Sequence, residues 1–120
     1  MEAYYETVYE GEQKGAVMMG VCRGRMSEGL DFSDNAARMV VIVGIPFPQA
    51  YDPKVLLKKH YLDTKKSTKA VRMQTSIVHI NGWEWYNLQA SKAVNQAIGR
   101  VIRHVQDYGS ILLLDQRYCH

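Results

Sequence analysis

A chain of 120 residues suits one domain, and 47% hydrophobic with 22% charged residues is the balance of a globular protein with a modest core, which excludes fibrous and disordered classes. No uncharged apolar run is long enough to cross a bilayer, and the N-terminus lacks a basic start, apolar core and small-residue cleavage site, so a soluble intracellular protein with no membrane partner is expected. The net charge of +3 fits an anionic partner without identifying one; Cys22 and Cys119 match neither a disulfide framework nor a metal-ligand spacing, so reduced thiols and no metal are expected.

Helical character opens the chain from Glu2 to Glu12, with Tyr4, Tyr5 and Tyr9 spaced to pack that helix on a sheet. Short runs rich in Val, Ile and Met at Ala16 to Val21 and Met39 to Ile45, and later Ile111 to Leu114, are the pattern of strands covered on both faces. Asp34 and Asn35 shape the turn before the second strand. Asp52 before Pro53 is an N-cap and first-turn pair starting a helix over Lys54 to Leu62. Residues 65–81 mix Lys65, Lys66, Lys69 and Arg72 with Ser and Thr, a variable basic insertion that is either solvated or in contact with a phosphate backbone. A long helix follows from Trp83 to His104, anchored by Trp83, Trp85 and Tyr86, then a turn at Gly109 and the last strand. Strands alternating with helices predict an α/β fold with a largely parallel sheet, thin enough to be a piece of a larger domain.

The chemistry concentrates in Gln96-Ala-Ile-Gly-Arg100-Val-Ile-Arg103. At positions i, i+4 and i+7 of a helix, Gln96, Arg100 and Arg103 form one polar stripe with no acidic residue among them, so an anion from elsewhere is the expected partner. Gly99 leaves room for a close approach, and His104 suits a helix C-terminal cation. After the first apolar run comes Cys22-Arg-Gly-Arg-Met-Ser-Glu-Gly-Leu-Asp31, a glycine-punctuated loop where ligands bind in open α/β sheets. Alone, that loop reads equally well as a turn with surface charges.

Together, and about seventy residues apart, the two segments resemble motifs V (residues 21–34) and VI (residues 93–104) of superfamily 2 helicases. The wording Cys22-Arg-Gly-Arg-Met-Ser-Glu-Gly-Leu-Asp-Phe-Ser-Asp34, Val43-Gly-Ile-Pro-Phe-Pro48, Ala93-Val-Asn-Gln-Ala-Ile-Gly-Arg-Val-Ile-Arg-His104 and Asp115-Gln-Arg-Tyr118 is similar to the iron-sulfur DNA helicases related to xeroderma pigmentosum group D, closest to the Fanconi anaemia group J and telomere-length-regulating branch. The resemblance implies a partial RecA-like, three-layer α/β domain with a mostly parallel sheet, the C-terminal part of the second motor domain of a DNA helicase. It implies ATP hydrolysis coupled to 5′-to-3′ movement on single-stranded or forked DNA, in repair and genome maintenance in the nucleus. ATP and Mg²⁺ would be held mainly by a first RecA-like domain, and a 4Fe-4S cluster only by the full-length parent.

Site roles follow from the same resemblance. Arg103 is the better match for the arginine finger, Arg100 its companion and Gln96 a γ-phosphate or water contact. Glu28, Gly29 and Asp31 match the nucleotide-facing part of motif V, and Arg23, Arg25 and Ser27 its DNA-facing part. Arg117 matches an arginine that serves equally as a structural ion pair or a DNA contact. The chain carries no phosphate loop, acidic Mg²⁺ box or four-cysteine cluster, so by itself it is expected to be inactive. A truncated, non-catalytic nucleic-acid or protein binding module is the alternative function, and an RNA helicase of the same superfamily a third.

Overall fold

The Val- and Ile-rich run at residues 39–43 and the Leu-rich run at 110–114 pair in parallel as β1 (Met39–Val43) and β2 (Ser110–Leu114), in register from Met39 opposite Ser110 to Val43 opposite Leu114. A computed structural model of the chain describes residues 2–10, 15–24, 32, 34–70 and 80–119. The remaining elements are α1 (Glu2–Tyr9), a 3₁₀ turn (Asp34–Ala36), α2 (Pro53–Ala70), α3 (Gly82–Ile98) and a second 3₁₀ turn (Gln116–Cys119). The chain divides into two compact units, residues 1–45 with 94–120, and residues 46–93.

In the first unit the ladder is extended at both ends. Ser110 N–H donates to Arg38 O at 2.8 Å before the strands begin, and Gly44 N–H donates to Leu114 O at 3.0 Å after they end. Ile42 is buried, with Ala36, Val94 and Val101. On the other face of the sheet Met39, Val41, Val43, Leu112 and Leu114 are exposed, so apolar runs suited to two covered faces have one open in this chain. α1 is tied to the 3₁₀ turn by Tyr4, whose hydroxyl donates to Ala36 O at 2.7 Å and whose ring meets Phe32 edge-on at 5.5 Å.

The second unit is a helical pair with strong local signals. Asp52 caps α2 as expected, accepting from Lys54 N–H at 2.7 Å. Asn81 and Glu84 form a capping box at the start of α3, each side chain accepting the other's backbone N–H at 2.7 Å. Gly82 N–H donates to Asp63 Oδ1 at 2.7 Å, and a Cβ on Gly82 would lie 2.7 Å from Lys59 O, so only glycine permits this approach. Tyr86 is buried, stacks on Phe47 at 5.0 Å and donates from its hydroxyl to Pro48 O.

Three expectations are corrected. Ala16 to Val21 forms no strand: Val17, Met19 and Val21 are exposed and the segment has no regular structure. The helix expected to stop at Leu62 runs to Ala70, because residues 63–70 contain no Gly or Pro, and Lys and Ala propagate a helix well despite their loop-like polarity. Of the basic insertion, residues 65–70 are therefore helical, while 71–79 lie outside the described residues. The helix expected to reach His104 stops at Ile98.

Gly109 carries a checkable consequence. A Cβ there would lie 2.9 Å from Val101 Cγ1 and 3.3 Å from Arg38 O, both fixed by the core and the sheet. Gly109→Ala should therefore destabilise by about 1–3 kcal/mol, seen as a lower urea midpoint at unchanged m-value.

Candidate functional site

Gln96 is exposed on the last turn of α3. Beyond Ile98 the hydrogen bonds become mixed: Arg100 N–H to Ala97 O at 3.2 Å and Val101 N–H to Ile98 O at 3.0 Å are i−3, while Ile102 N–H still reaches Ile98 O at 3.1 Å. Arg103 leaves the helix entirely: its N–H donates to Asp107 Oδ2 at 3.0 Å, while its guanidinium donates back to Gly99 O at 3.2 Å. The single helical stripe of Gln96, Arg100 and Arg103 is thus replaced by a helix end carrying Gln96 and a turn carrying a half-buried Arg100 and an exposed Arg103. A Cβ at Gly99 would meet only carbonyls of its own helix end, Asn95 O at 3.3 Å and Gln96 O at 3.9 Å.

Asp107 braces this turn. Its side chain is 0% exposed, a cost to a carboxylate unless donors surround it. They do: Arg103 N–H on Oδ2, Arg38 Nη1 on Oδ1 at 2.8 Å and Tyr108 N–H on Oδ1 at 2.9 Å. The Arg103 amide first, then Arg38, Tyr108 N–H and His104, hold its pKa below the usual aspartate value against the opposing effect of burial. Arg38 also donates to Tyr108 O and Asn35 Oδ1 and lies 4.1 Å over the Tyr108 ring.

His104 is not a helix C-terminal cation; its Nε2 lies 3.0 Å from Asp34 Oδ1, and Asp34 holds the left-handed φ of +53° that aspartate tolerates. Ligand atoms of Asp34, His104 and Asp107 lie within 4.8 Å of one another. The Arg38 guanidinium and two amides already occupy the Asp107 oxygens, so the positive charge in this cluster comes from arginine and the donor set suits a metal poorly.

At the opposite end of the strands Asp115 grips Arg117 with two oxygens, at 2.8 and 2.6 Å, and accepts Arg117 N–H. That side-chain pairing and then the amide hold Asp115 down to about 2. Arg117 is thus an ion-pair residue of the strand's exit. Tyr118 donates to Gly44 O there, and burial first, then Asp115 and Cys22, push its pKa up. Cys22 begins the glycine-punctuated loop, and Arg23 follows at φ +65° in the third position of a turn closed by Gly24 N–H to Val21 O, a position usually taken by glycine.

Arg25, Ser27, Glu28, Gly29 and Asp31 lie outside the described residues. Arg38 was not legible as a site residue, standing alone before an apolar run; Asp107 reads in sequence only as part of a turn.

A family model described as the helicase C-terminal domain matches residues 1–120. The chain is 54% identical over 118 residues to a protein of Drosophila persimilis named regulator of telomere elongation helicase 1 homolog, and 53% identical to the proteins of that name from Drosophila mojavensis and Drosophila virilis. Each alignment covers 98% of this chain and 11% of the relative, so the chain spans about a ninth of their length. The described α/β elements with their parallel pair are consistent with a partial RecA-like domain.

The two lowered carboxylates fix the sign of an acid response. With folded pKa values below the ordinary 3.8, both contribute stability that is complete above that value and is lost as pH falls through the folded pKa, for Asp115 toward about 2. The urea midpoint of the chain should fall across that window, and Asp107→Asn or Asp115→Asn should flatten the fall.

Proposed function

Because the chain belongs to the helicase C-terminal domain family, we propose that it forms part of the second RecA-like motor domain of an ATP-dependent DNA helicase moving 5′ to 3′, serving genome maintenance in the nucleus. The observation that carries this reading is the exposed Arg103 on a turn whose backbone is fixed by a fully covered carboxylate. A guanidinium so placed is permanently charged and planar, which suits the oxygens of a phosphoryl group in transfer. Arg103 then stabilises charge developing at the γ-phosphate, Arg100 supports it, and Gln96 contacts a γ-phosphate oxygen or water. ATP with Mg²⁺ supplies the phosphoryl group from a first RecA-like domain. This chain's part is to present cations.

Glu28, Gly29 and Asp31 are assigned to the nucleotide side of the loop after Gly24, and Arg23, Arg25 and Ser27 to a single-stranded or forked DNA backbone. A loop touching both ligands would make closure on nucleotide alter the grip on the strand. With two cysteines in its sequence, the chain does not supply the ligands of a 4Fe-4S cluster, which belongs elsewhere in a parent polypeptide.

Arg103→Gln in the longest native polypeptide containing this chain should lower DNA-stimulated ATP turnover by about 10³-fold or more while leaving single-strand binding in place. Turnover within tenfold of the unaltered protein would remove Arg103 from the role. The 120 residues alone should show no hydrolysis with DNA and Mg²⁺ present, and measurable turnover by them would overturn the half-site reading.

A further inference from the structure

We infer that α2 carries a second contact for single-stranded nucleic acid, a stripe of lysines around an exposed tyrosine that none of the motif residues above includes. Lys54, Lys58, Tyr61 and Lys65 stand at i, i+4, i+7 and i+11 of one helix, which places them on one side of it, and all four are exposed. Tyr61 is 47% exposed, with Lys58 Nζ 5.6 Å and Lys65 Nζ 4.7 Å from its ring centroid. From Lys54 to Lys65 the stripe covers about 16 Å at roughly 1.5 Å per residue. Aromatic rings among cations are how proteins hold single strands without sequence preference; here both ammonium groups lie over the Tyr61 ring, and a base stacking on it takes the place of one as that lysine turns to a phosphate.

Charge indicates the occupant. Residues 46–93 hold eight Lys and Arg against three Asp and Glu, whereas the rest of the chain holds seven against nine. Helix α2 alone has six lysines and one acid, and that acid, Asp63, accepts Gly82 N–H through Oδ1 and stands away from the stripe. Ordinary solvated helices offset Lys with Glu four residues away; here Lys54 and Lys58 stand at that spacing as like charges, which weakens an isolated helix. A polyanion relieves the repulsion, and the exposed ring favours a nucleic acid with unstacked bases over an acidic protein segment.

The inference rests on the DNA-motor reading, and one experiment separates the two. Anisotropy of a labelled single-stranded oligonucleotide is followed against salt for the longest native polypeptide containing this chain, its Lys54→Gln/Lys58→Gln/Lys65→Gln variant, Tyr61→Ala and Tyr61→Phe. The triple variant should keep its Tm and lose about 2 from the slope of log K against log salt, at about 0.7 per phosphate contact on a single strand. Tyr61→Ala should weaken binding about 5- to 100-fold, and Tyr61→Phe should retain it. An unchanged slope in the triple variant, with the unaltered protein binding normally, overturns the stripe and leaves the motor reading standing. If the unaltered protein binds no single strand at any salt, the motor reading falls and takes the stripe with it. Equal competition by polyglutamate together with a silent Tyr61→Ala assigns the surface to an acidic protein and overturns the proposal.

Discussion

The Arg38–Asp107 ion pair is the contact on which the first unit depends, because one carboxylate serves both the sheet and the arginine turn. The two residues are 69 apart in the chain and stand just before β1 and β2. Arg38 O accepts the N–H that opens the ladder, from Ser110, while Asp107 receives the Arg38 guanidinium and the amides of Arg103 and Tyr108. A covered carboxylate is tolerable only when its oxygens are matched, and loss of one donor leaves the others holding an undercompensated charge. The strand register and the position of Arg103 are therefore coupled.

This coupling changes how the arginine segment is understood. On a continuous helix, Gln96, Arg100 and Arg103 would be aligned by periodicity alone, and any good helix former between them would do. In the folded chain α3 has already ended, and Arg103 is placed by Asp107, four residues on and itself held by the distant Arg38, with its own guanidinium returning to Gly99 O. The carbonyls at a helix end need donors, and a nearby guanidinium is one such donor. Arg103 thus lies on a short turn held at both ends, a geometry that depends on Asp107 as much as on the local run.

The second unit is governed by local rules. Its helices start where side chains cap them, at Asp52 and at the Asn81–Glu84 box, and they approach closely where Gly82 has no Cβ to obstruct Lys59 O and Asp63. The caps involve residues two or three apart and survive in any tertiary context, whereas the Gly82 contact with Asp63 spans 19 residues. The Lys- and Thr-rich end of α2 shows the opposite lesson: polarity alone suggested a loop, and the missing helix breakers were the better indicator.

By itself the sequence determined the α/β class with a largely parallel sheet, the Asp52 cap that starts α2 and the identity of the motif-bearing segments, because periodicity, capping residues and motif wording are local properties. It did not determine that Ala16 to Val21 would lack a strand or that α3 would stop at Ile98. Those outcomes turn on which distant acceptor or neighbour reaches a backbone group first. Only the tertiary structure could supply Arg38 to Asp107 from 69 residues away, and with it the matched carboxylate that the amide of Arg103, four residues before Asp107, meets.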